Sequence, residues 1–376
     1  MVREVAGSAL RFFKKEAVLC IALLLAVVSA FFVPPSAEYI GYIDWDTLAL
    51  LFGLMAVMQG YRRAGLFSLL ANKLLRLANT SKKLMALLVF LPFFLSMLIT
   101  NDVSLLTFVP FGIIVMRSAG LERQIVPLVV LQTVAANLGS MLTPLGNPQN
   151  LYLYNASGLS LGQFVLIMLP YTVLAFAGLA VSVACFRSVP VHFQSQSAKT
   201  EGAYSLAWPT VFFAACLCGL FNVLPPILVA VLVFLFLLIT DRKMLAQVDY
   251  SLLLTFAALF VFIGNIGNIS WFRSFLSSVL FGNEKIVAVL ANQVISNVPA
   301  ALLLSGFSSA WEALIVGCNL GGLGTLIASM ASLISFKAVS KEIAGRRAKY
   351  LLEFTIANVA FLAGLLGLSY LLELFF

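Results

Sequence analysis

Four short polar stretches stand inside otherwise apolar sequence: Thr100-Asn101-Asp102, Thr143-Pro144-Leu145-Gly146-Asn147-Pro148-Gln149-Asn150, Ser296-Asn297-Val298-Pro299 and Asn319-Leu320-Gly321-Gly322-Leu323-Gly324-Thr325. Asn, Thr, Gly and Pro together interrupt a helix. Each interruption yields a helix N-terminus whose free amides and partial positive charge suit an anionic or polar solute. Each also yields C-terminal carbonyls that suit a sodium ion or a proton-bearing water. The candidate solute- and ion-binding residues are Thr100, Asn101, Asp102, Asn137, Thr143, Gly146, Asn147, Ser296, Asn297, Asn319, Gly321, Gly324 and Thr325. A sodium position is expected near Asn101, Asp102, Gly146 and Asn297. Asn147 reads as an N-cap followed by Pro148 at the first helical position. Asp102 is the one carboxylate expected near mid-depth of a membrane, where it is costly unless it meets a cation or a proton. It is therefore expected to carry or support a coupling ion.

The elements that must position these groups follow from composition. The 376 residues are 62% hydrophobic and 10% charged, with a mean hydropathy of +1.05. A soluble core cannot hide that much apolar surface, so the lipid bilayer is the solvent. Runs long enough to span recur at 17–34, 45–61, 124–141, 161–186, 207–222, 224–240, 250–268 and 350–375. The first is expected to be a transmembrane helix and not a cleaved leader, because no small-residue cleavage site precedes Pro34-Pro35. No soluble domain is expected. The five cysteines (Cys20, Cys185, Cys216, Cys218, Cys318) fall in apolar runs and read as small buried hydrophobes, and His192 as a surface residue. Paired catalytic groups at membrane depth are missing from the pattern, so no enzyme and no organic cofactor is expected.

The net charge of +8 implies no nucleic-acid partner, because its distribution is a topology signal. With the N-terminus cytoplasmic, 21 of the 23 Lys and Arg residues fall inside and only Arg273 and Lys285 outside. This holds if 83–116 and 285–308 each enter and leave on the same side. The arms around Ser296-Asn297 are about eleven residues, roughly 16 Å as helix, too short to cross the hydrocarbon. They are expected to form a re-entrant hairpin, as are the arms around Asn101.

The sequence also repeats. Asp44 and Asp249 each open a span, and shorter amphipathic stretches follow at Leu66 to Leu77 and Trp271 to Leu280. The tips Asn101 and Asn297 come next, and Ala136-Asn137-Leu138-Gly139 then matches Cys318-Asn319-Leu320-Gly321. The offset falls from 205 to 196 to 182 residues while the order is kept. The expected fold is an all-α polytopic membrane protein of about ten spans built from two inverted-topology repeats. The expected boundaries are 1–34, a first transmembrane helix; 35–186, repeat 1 with hairpin 83–116 and broken helix 124–156; 187–206, a cytoplasmic linker; and 207–376, repeat 2 with hairpin 285–308 and broken helix 310–338. Such pseudo-symmetry generates inward- and outward-open states from one fold.

These features resemble the ion transporter superfamily, which includes arsenite pump membrane subunits, citrate and divalent-anion symporters, and sodium/proton antiporters. The carriers of the resemblance are Asp44-Trp45-Asp46-Thr47-Leu48, the Asn101-Asp102 tip, Leu142 to Asn150, Ile295 to Ala300 and Asn319 to Ser329. They span nearly the whole chain in order. Asn147-Pro148-Gln149-Asn150 with Ser296-Asn297-Val298-Pro299 looks most like the anion-transporter branch near the arsenite and citrate proteins. The resemblance implies alternating access around one midplane site. In sodium-coupled dicarboxylate symporters both tips read Ser-Asn-Thr, whereas here they read Thr100-Asn101-Asp102 and Ser296-Asn297-Val298. The change at Asp102 points to proton or cation coupling. The expected function is a proton- or sodium-coupled carrier for a small anion or oxyacid in a bacterial inner membrane. The alternatives are arsenite or antimonite efflux, for which Cys318 beside Asn319 offers a thiol, and sodium/proton antiport through Asp102. The oligomeric state is left open, a homodimer included.

Overall fold

The computed structural model describes residues 16–67, 69, 73, 78–191 and 206–375. The N-terminal 15 residues, most of the Leu66 to Leu77 stretch, His192 and most of the 187–206 linker lie outside the described residues, and so do the expectations that rest on them. The described residues are helical, with no strand beyond an isolated bridge between Thr80 and Pro190.

In chain order the helices are α1 (Ala17–Ala30), α2 (Glu38–Tyr42), α3 (Trp45–Arg63), α4 (Ser81–Leu95), α5 (Asn101–Ser118), α6 (Ile125–Ser140), α7 (Pro148–Ser157), α8 (Leu161–Ala184), α9 (Ala207–Leu220), α10 (Pro226–Thr240), α11 (Arg242–Leu245), α12 (Tyr250–Gly267), α13 (Ser270–Leu280), α14 (Glu284–Ile295), α15 (Asn297–Ser305), α16 (Trp311–Leu320), α17 (Met330–Glu342) and α18 (Arg347–Phe375). By length and composition α8, α12 and α18 can each cross a membrane, while α1, α9, α10 and α16 are shorter apolar helices. Proline explains part of that shortening. The apolar run from 224 becomes helical only at Pro226, where a missing N–H costs nothing, and Pro34-Pro35 follow the end of α1.

The chain forms two compact units, each drawn from both halves of the sequence: residues 1–60, 207–284 and 301–309, and residues 61–206, 285–300 and 310–376. In the first unit α1 and α12 run parallel. Ser251 Oγ donates to Glu16 at one end (2.5 Å), and Asn265 Nδ2 donates to Ser29 Oγ (2.9 Å) and Tyr39 Oη (2.8 Å) at the other. Helix α9 runs antiparallel to α3, with Trp208 against Gly60 and Cys216 against Gly53. Helix α13 leaves Trp271, Phe275 and Val279 exposed at helical spacing.

In the second unit α6 is the axis. Nearly all of it is buried beneath α4, α5, α8, α17 and α18, its polar side chains Gln132, Thr133, Asn137 and Ser140 included. Helices α4 and α5 are the arms of the first hairpin, turning at Ser96 to Thr100. Pro92 inside α4 has no N–H to offer the Leu88 carbonyl one turn earlier. Gln132 of α6 supplies the donor instead, its Nε2 lying 2.9 Å from Leu88 O and 3.1 Å from Phe108 O, so one carboxamide holds both arms. Near the hairpin tip, Gly139 lets α6 approach so closely that a Cβ would collide with the Phe93 carbonyl and stand 2.7 Å from Ser96 Oγ.

Polar bonds at one end of this unit gather basic residues. Arg117 bonds Glu342, with its second terminal nitrogen 2.6 Å from the Glu342 carbonyl. Arg346 donates to Glu122 O at 2.8 Å, and Lys82 donates to Ala184 O at 2.7 Å. Lys285, which is expected on the opposite side, pairs instead with Glu373 and with Ser369 Oγ.

The close approach at Gly139 yields a stability prediction. Gly139→Ala is expected to destabilise the protein by about 1–3 kcal/mol through overpacking against backbone that cannot swing aside. Gly367→Ala, whose Cβ would meet nothing within 4 Å, is expected to match the parent in a melting experiment in detergent. Equal melting of all three proteins would refute the close approach.

Candidate solute and ion site

All thirteen candidate residues lie in the second unit. At the first tip Thr100 is the N-cap of α5, its hydroxyl accepting from Val103 N at 3.5 Å. Asn101 is buried; its Oδ1 accepts from Asp102 N (2.9 Å) and its Nδ2 donates to Asn137 Oδ1 (3.0 Å). Asp102 is half-buried in the first turn of α5, where the helix dipole favours negative charge. At the second tip Ser296 adopts φ +73°, a left-handed conformation that costs a non-glycine residue about 1–3 kcal/mol and is retained where the surroundings enforce it. Asn297 repeats the Asn101 geometry, its Oδ1 accepting from Val298 N at 3.0 Å. Its backbone N–H donates to Ala328 O at 3.0 Å.

The two breaks lie at Met141 to Asn147 and at Gly321 to Ser329. Asn147 stands at the N-cap position of α7 with Pro148 at N1, but its side chain makes no cap bond. It donates instead to Ser140 Oγ at 2.6 Å, back across the break. Gly146 lies against the Ser140 backbone, where any Cβ would collide. Thr143 Oγ1 donates to Met97 O, and Thr325 Oγ1 donates to Gln293 O at 3.2 Å, so each break is tied to the arm that leads into its hairpin tip. Gly321 abuts Asn292, and Gly324 takes φ +111° against the Gln293 carboxamide.

The breaks also exchange partners. Asn137 at the end of α6 donates to Ser332 Oγ (3.3 Å) and accepts from Ser329 Oγ (3.2 Å), both at the start of α17. Asn319 at the end of α16 donates to Asn150 Oδ1 (2.7 Å) at the start of α7. Asn319 lies 182 residues after Asn137, and Ser332 lies 182 after Asn150, so the two bonds are equivalents. The first half of each broken helix holds the second half of the other.

Three carboxamides outside the thirteen candidates, Asn150, Gln293 and Asn292, close the remaining carbonyls. Asn150 Nδ2 faces Ser140 O (3.2 Å), Met141 O (3.5 Å) and Thr143 O (3.3 Å). Gln293 Nε2 faces Gly321 O (2.9 Å), Leu323 O (2.9 Å) and Val289 O (3.1 Å), while its Oε1 accepts from Thr325 N (2.9 Å). Asn292 Nδ2 donates to Cys318 O at 2.7 Å. The signal for Asn292 and Gln293 was a carboxamide inside an apolar helical arm, where it must find partners.

The Asp102 and Val298 amides are taken by the preceding asparagines and are not free for a solute. The C-terminal carbonyls of the breaks are largely taken by amide nitrogens. No hydrogen bond joins Asn101 to Asn297, and Gly146 has Ser140 as its neighbour, so the four residues grouped around sodium have separate partners. Asn319 Oδ1, Asn292 Oδ1 and Gln149 Oε1 are buried acceptors without a hydrogen-bond partner. Cys216 and Cys318 are buried as expected, but Cys185 is exposed, because it caps the C-terminus of α8 beyond the packed turns. Among the described residues no group of three His, Cys, Asp or Glu can hold a metal.

Apolar helices interrupted at polar, cross-bonded breaks define a membrane transport protein. The chain belongs to the citrate transporter family (CitMHS), whose model matches residues 9–310. It is 33% identical over 306 residues to a Methanocaldococcus jannaschii protein named an uncharacterized transporter, covering 80% of this chain and 82% of that one. It is 29% identical over 320 residues to the inner membrane protein YbiR of Escherichia coli, covering 84% and 86%. A shorter match, 27% over 132 residues, joins it to the putative transporter arsB of Dictyostelium discoideum, covering 35% of this chain and 23% of that one. The protein is a transporter and not an enzyme.

The exchanged bonds can be tested by a double-mutant cycle. Asn150→Ala and Asn319→Ala each leave a buried partner unsatisfied, costing about 1–3 kcal/mol. The double variant is expected to cost at least about 0.5 kcal/mol less than the sum, since each change removes the same bond. Strict additivity in chemical denaturation would show that the two side chains do not share it.

Proposed function

We propose that this chain is a secondary active transporter that moves a small anion or oxyacid by alternating access, coupled to protons or sodium. Its two inverted repeats each contribute a re-entrant hairpin and a broken helix. The observation that carries this reading is the equivalence of Asn137–Ser332 and Asn319–Asn150, two bonds related by one sequence offset that knit both breaks into a single polar centre. The basic end of the second unit, where α4 begins and α5 and α8 end, supports placing that end in the cytoplasm. The relative named an inner membrane protein supports a bacterial inner membrane. The family description supports an anionic solute such as a carboxylate.

One observation favours a second reading, efflux of a neutral oxyacid such as arsenite. The four interruptions contain no Lys or Arg, and the buried atoms left without partners there include Asn319 Oδ1 and Gln149 Oε1, both acceptors. A hydroxylated acid can donate to such oxygens, whereas a bare anion needs donors. The arsB-named relative agrees with this reading. Sodium/proton antiport through Asp102 is the third.

The readings separate in proteoliposomes offered citrate, succinate, arsenite, sulfate, or sodium and proton gradients alone. Gradient-driven flux of at least one solute is expected, and no flux of any would sink the transport reading. Asp102→Asn is expected to lower coupled flux at least tenfold while the elution profile stays that of the parent. Undiminished flux in that variant would remove Asp102 from the mechanism.

A further inference from the structure

The resemblance to sodium-coupled carriers implies a sodium ion at the helix breaks, and the residues present can be tested for the fit. A hard cation gathers about six oxygens, with backbone carbonyls prominent among them. Helix breaks supply such carbonyls. Here Ser140, Met141 and Thr143 converge on Asn150 Nδ2. In the other break Gly321 and Leu323, joined by Val289 of the hairpin arm, converge on Gln293 Nε2.

Three carbonyls around one end of a carboxamide oblige that end to be the nitrogen, because an oxygen there would meet only acceptors. The opposite ends agree: Asn150 Oδ1 accepts from Asn319 Nδ2 at 2.7 Å and Gln293 Oε1 accepts from Thr325 N at 2.9 Å. An NH2 group has two protons for these three acceptors. Such crowding of carbonyls resembles a cation's surroundings more than an ordinary side-chain hydrogen bond. The unpartnered Asn319 and Asn292 oxygens are single acceptors on separate side chains. They do not replace the carbonyls already taken.

We propose that Asn150 and Gln293 are built-in stand-ins for a cation, their amide groups occupying the carbonyl clusters at both breaks so that the transporter neither binds nor requires sodium there. The inference deepens the transport reading by narrowing its coupling ion, and it rests on that reading only for its functional consequence. The stand-ins come from different places in the two halves. Asn150 follows the first break on α7, whereas Gln293 precedes the second tip on α14. Arrival at the same contact from non-equivalent positions argues that filling the carbonyl cluster is the requirement, and that the contact is no by-product of the repeat.

The test is a comparison of sodium with choline chloride at equal ionic strength, read by thermal melting and by radioactive sodium binding to purified protein without any solute. The parent is expected to melt at the same temperature in both salts and to retain no sodium. Gln293→Glu puts an anionic oxygen where the amide nitrogen stood. It is expected to melt lower in choline, to recover by several degrees as sodium is added, and to bind sodium. Asn150→Asp applies the same change to the first break, so a folding failure in one variant leaves the other to decide.

Sodium-dependent stability or sodium binding in the parent overturns the proposal. So does a folded variant that ignores sodium in both formats. If both variants fail to fold, the parent's sodium dependence alone decides. Because no solute is present, absence of all transport would count against the transport reading and leave this inference intact.

Discussion

At the depth of a bilayer an unwound carbonyl or amide has no water to turn to, and each one left unpaired costs several kcal/mol. That constraint organises the second unit. The structure satisfies the breaks with carboxamides far more than with charges. Asn101, Asn137, Asn147, Asn150, Asn292, Gln293, Asn297 and Asn319 each bond backbone or another polar side chain near a tip or a break. A carboxamide suits the task because it donates at one end and accepts at the other without the desolvation cost of an ion. Gln132 does the same one layer deeper, supplying the donor that Pro92 withholds from Leu88.

The exchanged bonds have a mechanical consequence. Because α6 grips the start of α17 through Asn137 and α16 grips the start of α7 through Asn319, neither break can open without disturbing the other. The hairpin arms add a second pair of ties, Thr143 to Met97 and Thr325 to Gln293. Each tie recurs in both halves. These bonds cross-link the two breaks and their hairpin arms into one connected polar network.

Where the helices stop was legible in the sequence, because proline, glycine and asparagine punctuate helices locally. Pro148 opens α7 and the first hairpin turns just before Asn101, where the residue types say they should. What the amides do was not legible. Asn147 reads as an N-cap on local grounds, but Ser140 lies within reach across the break, so the tertiary bond replaces the local one. The free carbonyls expected at each break follow from the geometry of one helix end, and several are taken once carboxamides come within reach. Gln293 and Asn292 escaped notice because their partners lie 26 to 32 residues away, and spacing gives no hint of them.

The two tips differ in their bonding. Asn101 Nδ2 bonds Asn137 Oδ1, but the equivalent acceptor, Asn319 Oδ1, is buried without a partner, and Asn297 Nδ2 makes no hydrogen bond among those its side chain forms. The first tip is therefore latched to its break through the side chains and the second is not. The residue after each asparagine differs in the same sense. Asp102 places a carboxylate at the start of α5, where the helix dipole stabilises negative charge by about 0.3–1 kcal/mol, and Val298 places none at the start of α15. The two tips thus differ in chemistry, a carboxylate following the asparagine at the first and an apolar side chain at the second.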